Sequence, residues 1–362
     1  MTLPITQLPF VCPQCHTQVA ATLLSCPSCH RLVHKEYLTT LAARAQEAEA
    51  AGDLTTAMSA WREALGLLPR QSQQHQTITA KIDTLGREID KNPPAAPAAT
   101  PGAKPQAGAA AQDKSAAAKS AAGLGGLALL LWKFKFILAF VLTKGKLLLL
   151  GLTNASTLFS MFLSLGVYWT AWGWKFALGM VLSIYVHEMG HVAELRRRGF
   201  KATAPMFIPG LGAVIRLQQH TSNPHEDARI GLAGPIWGLG AAAVAAGVGY
   251  ATGEPIWTAI AKVGAWINLF NLIPIWQLDG GRGWRALAKR QAWIVIAAIG
   301  TAWFLTHESM LMLVLIVAIL RTLAMKDESP EGDVIAATQW IALIALLSAL
   351  TRLPVPDLSG QF

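Results

Sequence analysis

The chain has 362 residues, of which 53% are hydrophobic and only 14% are charged. That charge content is far below the roughly 25% of soluble domains, and several apolar runs approach or exceed bilayer length, so the composition excludes a wholly soluble protein and fits a membrane protein with soluble parts. The net charge of +9 does not require nucleic acid, because basic residues of membrane proteins gather in cytoplasmic loops and set orientation; no nucleic-acid partner is expected.

The first 30 residues lack an apolar core, so no signal peptide is expected, and they hold all four cysteines. Residues 12–29 read CPQCHTQVAATLLSCPSC. Each Cys-Pro-x-Cys knuckle aims two thiolates at one point. Cys12, Cys15, Cys26 and Cys29 together make a tetrahedral four-sulfur site suited to a structural zinc ion, with iron as the less suited metal. Two disulfides would need an oxidising compartment, and nothing targets this end to one. The segment, residues 1–35, looks like a zinc ribbon.

Residues 36–90 are polar, alanine-rich and helical in period. The stretch GDLTTAMSAWREALGLLP, 52–69, resembles the second half of a tetratricopeptide repeat, with a Gly52–Asp53 turn, small Ala57, aromatic Trp61, Ala64 and a closing Pro69. Helices over about 36–50 and 71–90 are expected to pack on it. One repeat buries little, so the segment reads as a stub or as a module that binds a protein partner; a plain helical hairpin is the simpler alternative. Residues 91–122, rich in Ala, Pro, Gly, Lys and Gln, read as a flexible linker.

From residue 123 onward the chain is membrane-like. The candidate spans are 152–170, 172–195, 229–250, 256–277, 291–306, 309–325 and 334–351. The stretch 124–150 carries Lys133 and Lys135 mid-run, at a cost of about 2.5–3.5 kcal/mol each at a bilayer centre. It either crosses or lies at the interface with its lysines snorkelling; in the second case the ribbon is cytoplasmic, where thiolates stay reduced.

Residues 151–185 contain one charged side chain, Lys175, and are followed by VHEMGH at 186–191. On a helix, His187 and His191 lie about 40° apart on one face and about 6 Å along the axis, so two imidazoles can grip one zinc ion. Glu188 sits about 100° round the helix, placed to act on a metal-bound water without being a ligand. Ionisable residues inside an apolar span are costly and read as functional by default. A catalytic zinc needs a third protein ligand. The candidates are His220, His225, Glu226, Asp227, Glu254, Asp279 and Glu194, the last more readily paired with Arg196–Arg198.

Asp279 stands out for its setting, NLIPIWQLDGGR at 271–282, where Pro274 breaks the span and Gly280–Gly281 free the backbone. An ordinary helix end with a capping Asp is the alternative. With Arg196–Arg198 in the cytoplasm and 201–219 dipping in without crossing, 229–250 runs outward and 256–277 inward. Asp279 then emerges on the same side as His191, at similar depth.

These residues resemble the site-2 protease family of intramembrane zinc metalloproteases, over roughly 150–290. The likeness lies in His187, Glu188 and His191 together with the later Asn271, Pro274, Leu278, Asp279 and Gly280. PMFIPGLGAVIRL, 205–217, is similar to the family's membrane-dipping β-hairpin, which makes Pro205, Phe207, Gly210 and Gly212 candidate substrate-binding residues; AGP, 233–235, is also similar to a family feature. The resemblance implies that His187, His191 and Asp279 bind a catalytic zinc, that Glu188 is the general base, and that Asn271 positions substrate or the oxyanion. The expected fold is mostly α: a polytopic membrane helix bundle over 123–362 with a short re-entrant β-hairpin, preceded by the ribbon and the helical repeat.

The expected protein is a multi-pass integral membrane enzyme, in a bacterial plasma membrane with cytoplasmic N-terminal modules, cutting transmembrane protein substrates within the bilayer. A catalytically inactive zinc-containing scaffold that recruits partners is the alternative from a different class. A transporter would show paired half-repeats with broken helices, and the chain shows no internal duplication.

Overall fold

A computed structural model describes residues 10–20, 23–91, 155–200, 205–208, 212–214, 223–275, 278–325 and 332–355. The expectations for the linker beyond Lys91, for 124–150, and for Gly210 and His220 concern residues outside those described. Among the described residues the chain is mostly helical, with eleven helices and two two-stranded sheets.

At the amino terminus β1 (Phe10–Val11) pairs antiparallel with β2 (Gln18–Val19). Three helices follow, α1 (Lys35–Ala50), α2 (Leu54–Leu65) and α3 (Gln73–Lys91). Helix α2 starts where it does because the Asp53 carboxylate accepts the Thr56 N–H at 3.0 Å, satisfying one of the donors that a helix start leaves open. Its Ala57, Met58, Ala60, Trp61 and Ala64 recur at helical spacing and are buried. Of these, Ala57, Met58, Ala60 and Trp61 pack with Ala45 and Ala48 of α1 and with Ile82, Leu85 and Ile89 of α3. Trp61 Nε1 donates to Glu49 Oε1 at 2.6 Å, so the buried indole keeps its hydrogen bond.

Helix α4 (Ala155–Trp172) turns at Gly173 into α5 (Trp174–Arg197), which returns along it. A hairpin of β3 (Met206–Ile208) and β4 (Gly212–Val214) pairs Phe207 with Ala213. Then come α6 (Pro224–Thr252), α7 (Pro255–Asn271), the short α8 (Asp279–Trp284), α9 (Lys289–Thr306), α10 (Ser309–Leu323) and α11 (Val334–Thr351). Helix α5 packs against α4, α6 and α7, while α6 also meets α8 and α11. The rings of Trp284 and Trp340 meet edge to face at 5.1 Å and join α8 to α11.

Helices α5, α6 and α11 are long and apolar enough to cross a membrane, and α10 is apolar but shorter. The other expected spans fall on α4, α7 and α9, which are shorter or more polar. Helix α4 carries Thr157, Ser160 and Ser164. Helix α7 ends at Asn271 and not near residue 277, because Pro274 lacks an N–H and disfavours helical backbone before it. Large apolar side chains point outward, among them Phe159 and Phe162 on α4, Phe304 on α9 and Leu320 on α10, as on helices that face lipid.

The N-terminal helices are docked on the bundle. Arg62 of α2 pairs with Glu226 in the first turn of α6, and its Nε donates to the Arg198 carbonyl just past α5 at 2.8 Å. Arg198 in turn pairs with Asp90 of α3. Asn223 Nδ2 donates to Asp83 Oδ1 at 2.8 Å, and Arg197 Nη2 donates to the Ile89 carbonyl at 2.6 Å. The docked face is that of Arg196–Arg198.

Candidate metal centres

Helical periodicity places His187 and His191 on one face of α5, and burial leaves each less than a tenth exposed. Their Nε2 atoms lie 3.2 Å apart. Asp279, the first residue of α8, completes the cluster: Oδ2 is 3.0 Å from His187 Nε2 and Oδ1 is 3.2 Å from His191 Nε2. One ligand atom from each of the three residues lies within 4.8 Å of the others. The far sides of the rings are engaged. His191 Nδ1 meets the Ile230 carbonyl of α6 at 2.7 Å, and His187 Nδ1 meets Asn268 Oδ1 of α7 at 2.8 Å. A carbonyl only accepts, so His191 Nδ1 carries the proton and its Nε2 lone pair faces the cluster. Asn268 is oriented by its own Nδ2, which donates to the Gly264 carbonyl at 2.7 Å, leaving Oδ1 for His187. Two imidazole lone pairs and a carboxylate converging on one point fit a zinc ion, with ring orientation fixed from outside as at metal-bound histidines.

Gly234 explains how α6 comes so close. A methyl group built there would collide with His191 and stand 2.7 Å from His187 Nε2, so the AGP segment is the floor of the cluster. Glu188 is buried at 8% exposure and lies outside the ligand group. Asn271 ends α7 half-buried, one turn beyond Asn268; among the described residues no hydrogen bond links its side chain to His187, Glu188, His191 or Asp279.

Among the described residues, the remaining ligand candidates are paired or lie elsewhere. Glu194 accepts from Arg198 Nε at 2.6 Å, Glu226 pairs with Arg62, and Asp227 pairs with Arg282 at 2.9 Å and also with Arg285. His225 Nδ1 lies 3.0 Å from Asp333. Glu254 precedes α7, about 30 Å along α6 from Gly234. Sequence reasoning missed Asn268, which reads as one more polar residue of an apolar helix, and the Ile230 carbonyl, for which no sequence signal exists.

In the hairpin, Phe207 is buried and stacks on Tyr185 of α5, ring centroids 6.4 Å apart. The outer edge of β3 is held by two hydroxyls of α4. Thr157 donates to the Pro205 carbonyl at 2.7 Å, and Ser160 Oγ accepts the Phe207 N–H at 3.0 Å. An added strand on this edge must displace α4. Of the other proposed hairpin residues, Gly212 opens β4.

The ribbon cysteines form a second group, with one ligand atom from each within 4.8 Å of the others. Closest sulfur contacts are 3.5 Å for Cys15–Cys26 and 3.6 Å for Cys12–Cys29. All four are free thiols, and these separations approach the roughly 3.8 Å that tetrahedral zinc with 2.3 Å bonds gives. The two knuckles repeat one turn. His16 N donates to the Cys12 carbonyl and His30 N to the Cys26 carbonyl, each at 2.9 Å, and both histidines have left-handed backbone, φ 57° and 60°. The hydroxyl and N–H of Thr17 pull Cys15 down to about 6. The Arg31 N–H also pulls Cys29 down, but burial and bonds with the other three thiols drive it to about 12. Four sulfurs this close can all ionise only beside a cation.

A family model for Peptidase family M50, the site-2 protease family of zinc metalloproteases, matches residues 175–262. The matched part holds α5 with its histidines, the hairpin and α6 with Gly234, and stops short of Asp279. No curated protein and no solved structure matches the chain. The family match and the apolar helices support an integral membrane metalloprotease.

Proposed function

We propose that the protein is an intramembrane zinc endopeptidase that hydrolyses peptide bonds in or near transmembrane segments of other proteins. The observation that carries this reading is the convergence of His187 Nε2, His191 Nε2 and Asp279 at 3.0–3.2 Å, with each Nδ1 bonded outward. Zinc held by these three residues would supply Lewis acidity and lower the pKa of a coordinated water towards 7. Glu188, next to His187 and buried, takes the proton of the attacking water and passes it to the leaving amine. Asn271 donates to the developing oxyanion from the same side of α7 as Asn268. Transmembrane substrate helices have satisfied backbones and must unwind before attack; the hairpin around Pro205, Phe207, Gly210 and Gly212 receives the unwound stretch as an added strand, entering as α4 moves aside.

In this reading the ribbon binds a second, structural zinc, and its closed four-sulfur sphere leaves no position for catalysis. The N-terminal modules are cytoplasmic, because they share the face of Arg196–Arg198, and the tetratricopeptide-like helices remain available to a protein partner on their exposed side. The membrane is a bacterial plasma membrane.

The test uses the full-length protein in vesicles with a helical transmembrane reporter. Glu188→Gln is expected to keep both metals and to lose about 10²–10⁴ in cleavage rate, the usual share of a general base. Cleavage at the parent rate by this variant would remove Glu188 from the chemistry.

A further inference from the structure

The docking of the N-terminal helices has a consequence at the metal cluster, resting on the reading of His187, His191 and Asp279 as a zinc site. We infer that Arg62 and Arg198 are positioning residues for that site, and that α1–α3 act as a staple across the ends of the two helices that form it. The cluster depends on the spacing of α5 and α6, since His191 on α5 takes its orientation from the Ile230 carbonyl on α6 at 2.7 Å. Arg62 bridges the same two helices, reaching the Arg198 carbonyl at 2.8 Å and Glu226. Glu226 lies one helical turn before Ile230, about 6 Å along α6, and Arg198 lies two turns beyond His191, about 10 Å along α5.

The bridge is buried and tightly built. Arg62, Arg198 and Glu226 are 9%, 1% and 5% exposed, and the Arg62 guanidinium stacks 3.7 Å from the Phe200 ring centroid. Gly199 turns the chain out of α5 with φ 71°, and a side chain there would stand 2.5 Å from the Ser59 backbone of α2, so the two backbones touch. Removing Arg62 takes its closest cation from the buried Glu226 carboxylate and leaves it with Arg198 at the longer distance of 3.9 Å; a buried pair weakened in this way is relieved by opening. Opening at this point separates the α5 and α6 ends and loosens the His191–Ile230 bond. Whatever binds and moves α1–α3 is thereby felt at the metal.

The test measures metal release from the full-length chain loaded with cobalt(II) and challenged with a chelator. The ribbon is followed by its thiolate-to-metal charge-transfer bands and the membrane cluster by its visible d–d bands. Arg62→Met is expected to speed release from the membrane cluster at least tenfold while leaving the ribbon bands unchanged. Arg62→Lys, which keeps a charge for Glu226 and loses the Arg198 carbonyl bond, falls between it and the parent. Lys81→Met, which breaks the Lys81–Glu49 pair inside the module at 2.9 Å, leaves both rates as they were.

Release from Arg62→Met at the parent rate, with hydrogen exchange showing α1–α3 detached from α5 and α6, would overturn the inference. Should Arg62→Met lose the ribbon bands as well, Glu226→Gln breaks the same pair from α6 and decides by the same two rates. A parent chain with ribbon bands alone would instead sink the zinc-site reading. A parent chain that binds both metals but cleaves nothing leaves the staple standing, since no substrate enters this measurement.

Discussion

The ribbon and the membrane cluster are candidate metal-ligand constellations built in opposite ways. The ribbon's ligands all fall between Cys12 and Cys29, and each pair sits on the same tight turn with a left-handed histidine after it. The membrane cluster joins α5 to α8 and takes the orientation of its imidazoles from α6 and α7. Short-range backbone geometry suffices for the first, and four sulfurs close its coordination sphere. In the proposed reading the second supplies three ligands and leaves a position for chemistry, and it is only as good as the packing of the helices around it. If it is the proposed catalytic site, it must stay open to water and substrate and cannot be sealed by its own ligands, so its precision comes from the bundle.

Substitutions that touch no ligand probe this contrast. The largest effect is expected from Gly234→Ala. Its methyl would enter the space of both imidazoles, so the membrane cluster should lose its zinc while the ribbon keeps its own. Full zinc content in this variant would mean that α6 can retreat without cost, and that helix packing does not hold the site. Asn268→Ala is expected to act more mildly. It removes the acceptor at His187 Nδ1 and should weaken zinc at the membrane cluster by about 10–100-fold, the range for lost outer hydrogen bonds to metal ligands, read by competition with a chelator of known affinity.

The same contrast decides what the sequence disclosed. The ribbon was legible because its spacing is its geometry: two Cys-Pro-x-Cys turns leave little else for four thiols to do. His187 and His191 were legible through the helical period, in a stretch where charge is scarce. Asp279 could be picked from seven candidates because Pro274 breaks the span before it and because the topology returns the chain to the same face. The rest depends on contacts with no local sign. Ile230 acts through its carbonyl, which every residue has. Asn268 differs from Asn271 only in which neighbour it meets. The pairing of Arg62 with Glu226 joins a residue with no mark in the sequence to one that read as a candidate zinc ligand, so the N-terminal helices looked like a tethered module although they are seated on the bundle. Helix lengths were legible to the extent that local chemistry fixed them. Pro274 ends α7 early, and the hydroxyls of α4 hold the hairpin, a role that reads in sequence only as polarity within an apolar run.

The most direct measurement is zinc per full-length chain, for the parent and for Asp279→Ala. Two zinc ions are expected in the parent and one in Asp279→Ala, with the remaining ion held by the ribbon cysteines. Equal zinc in both proteins would contradict the His187–His191–Asp279 site, and with it the proposed hydrolysis.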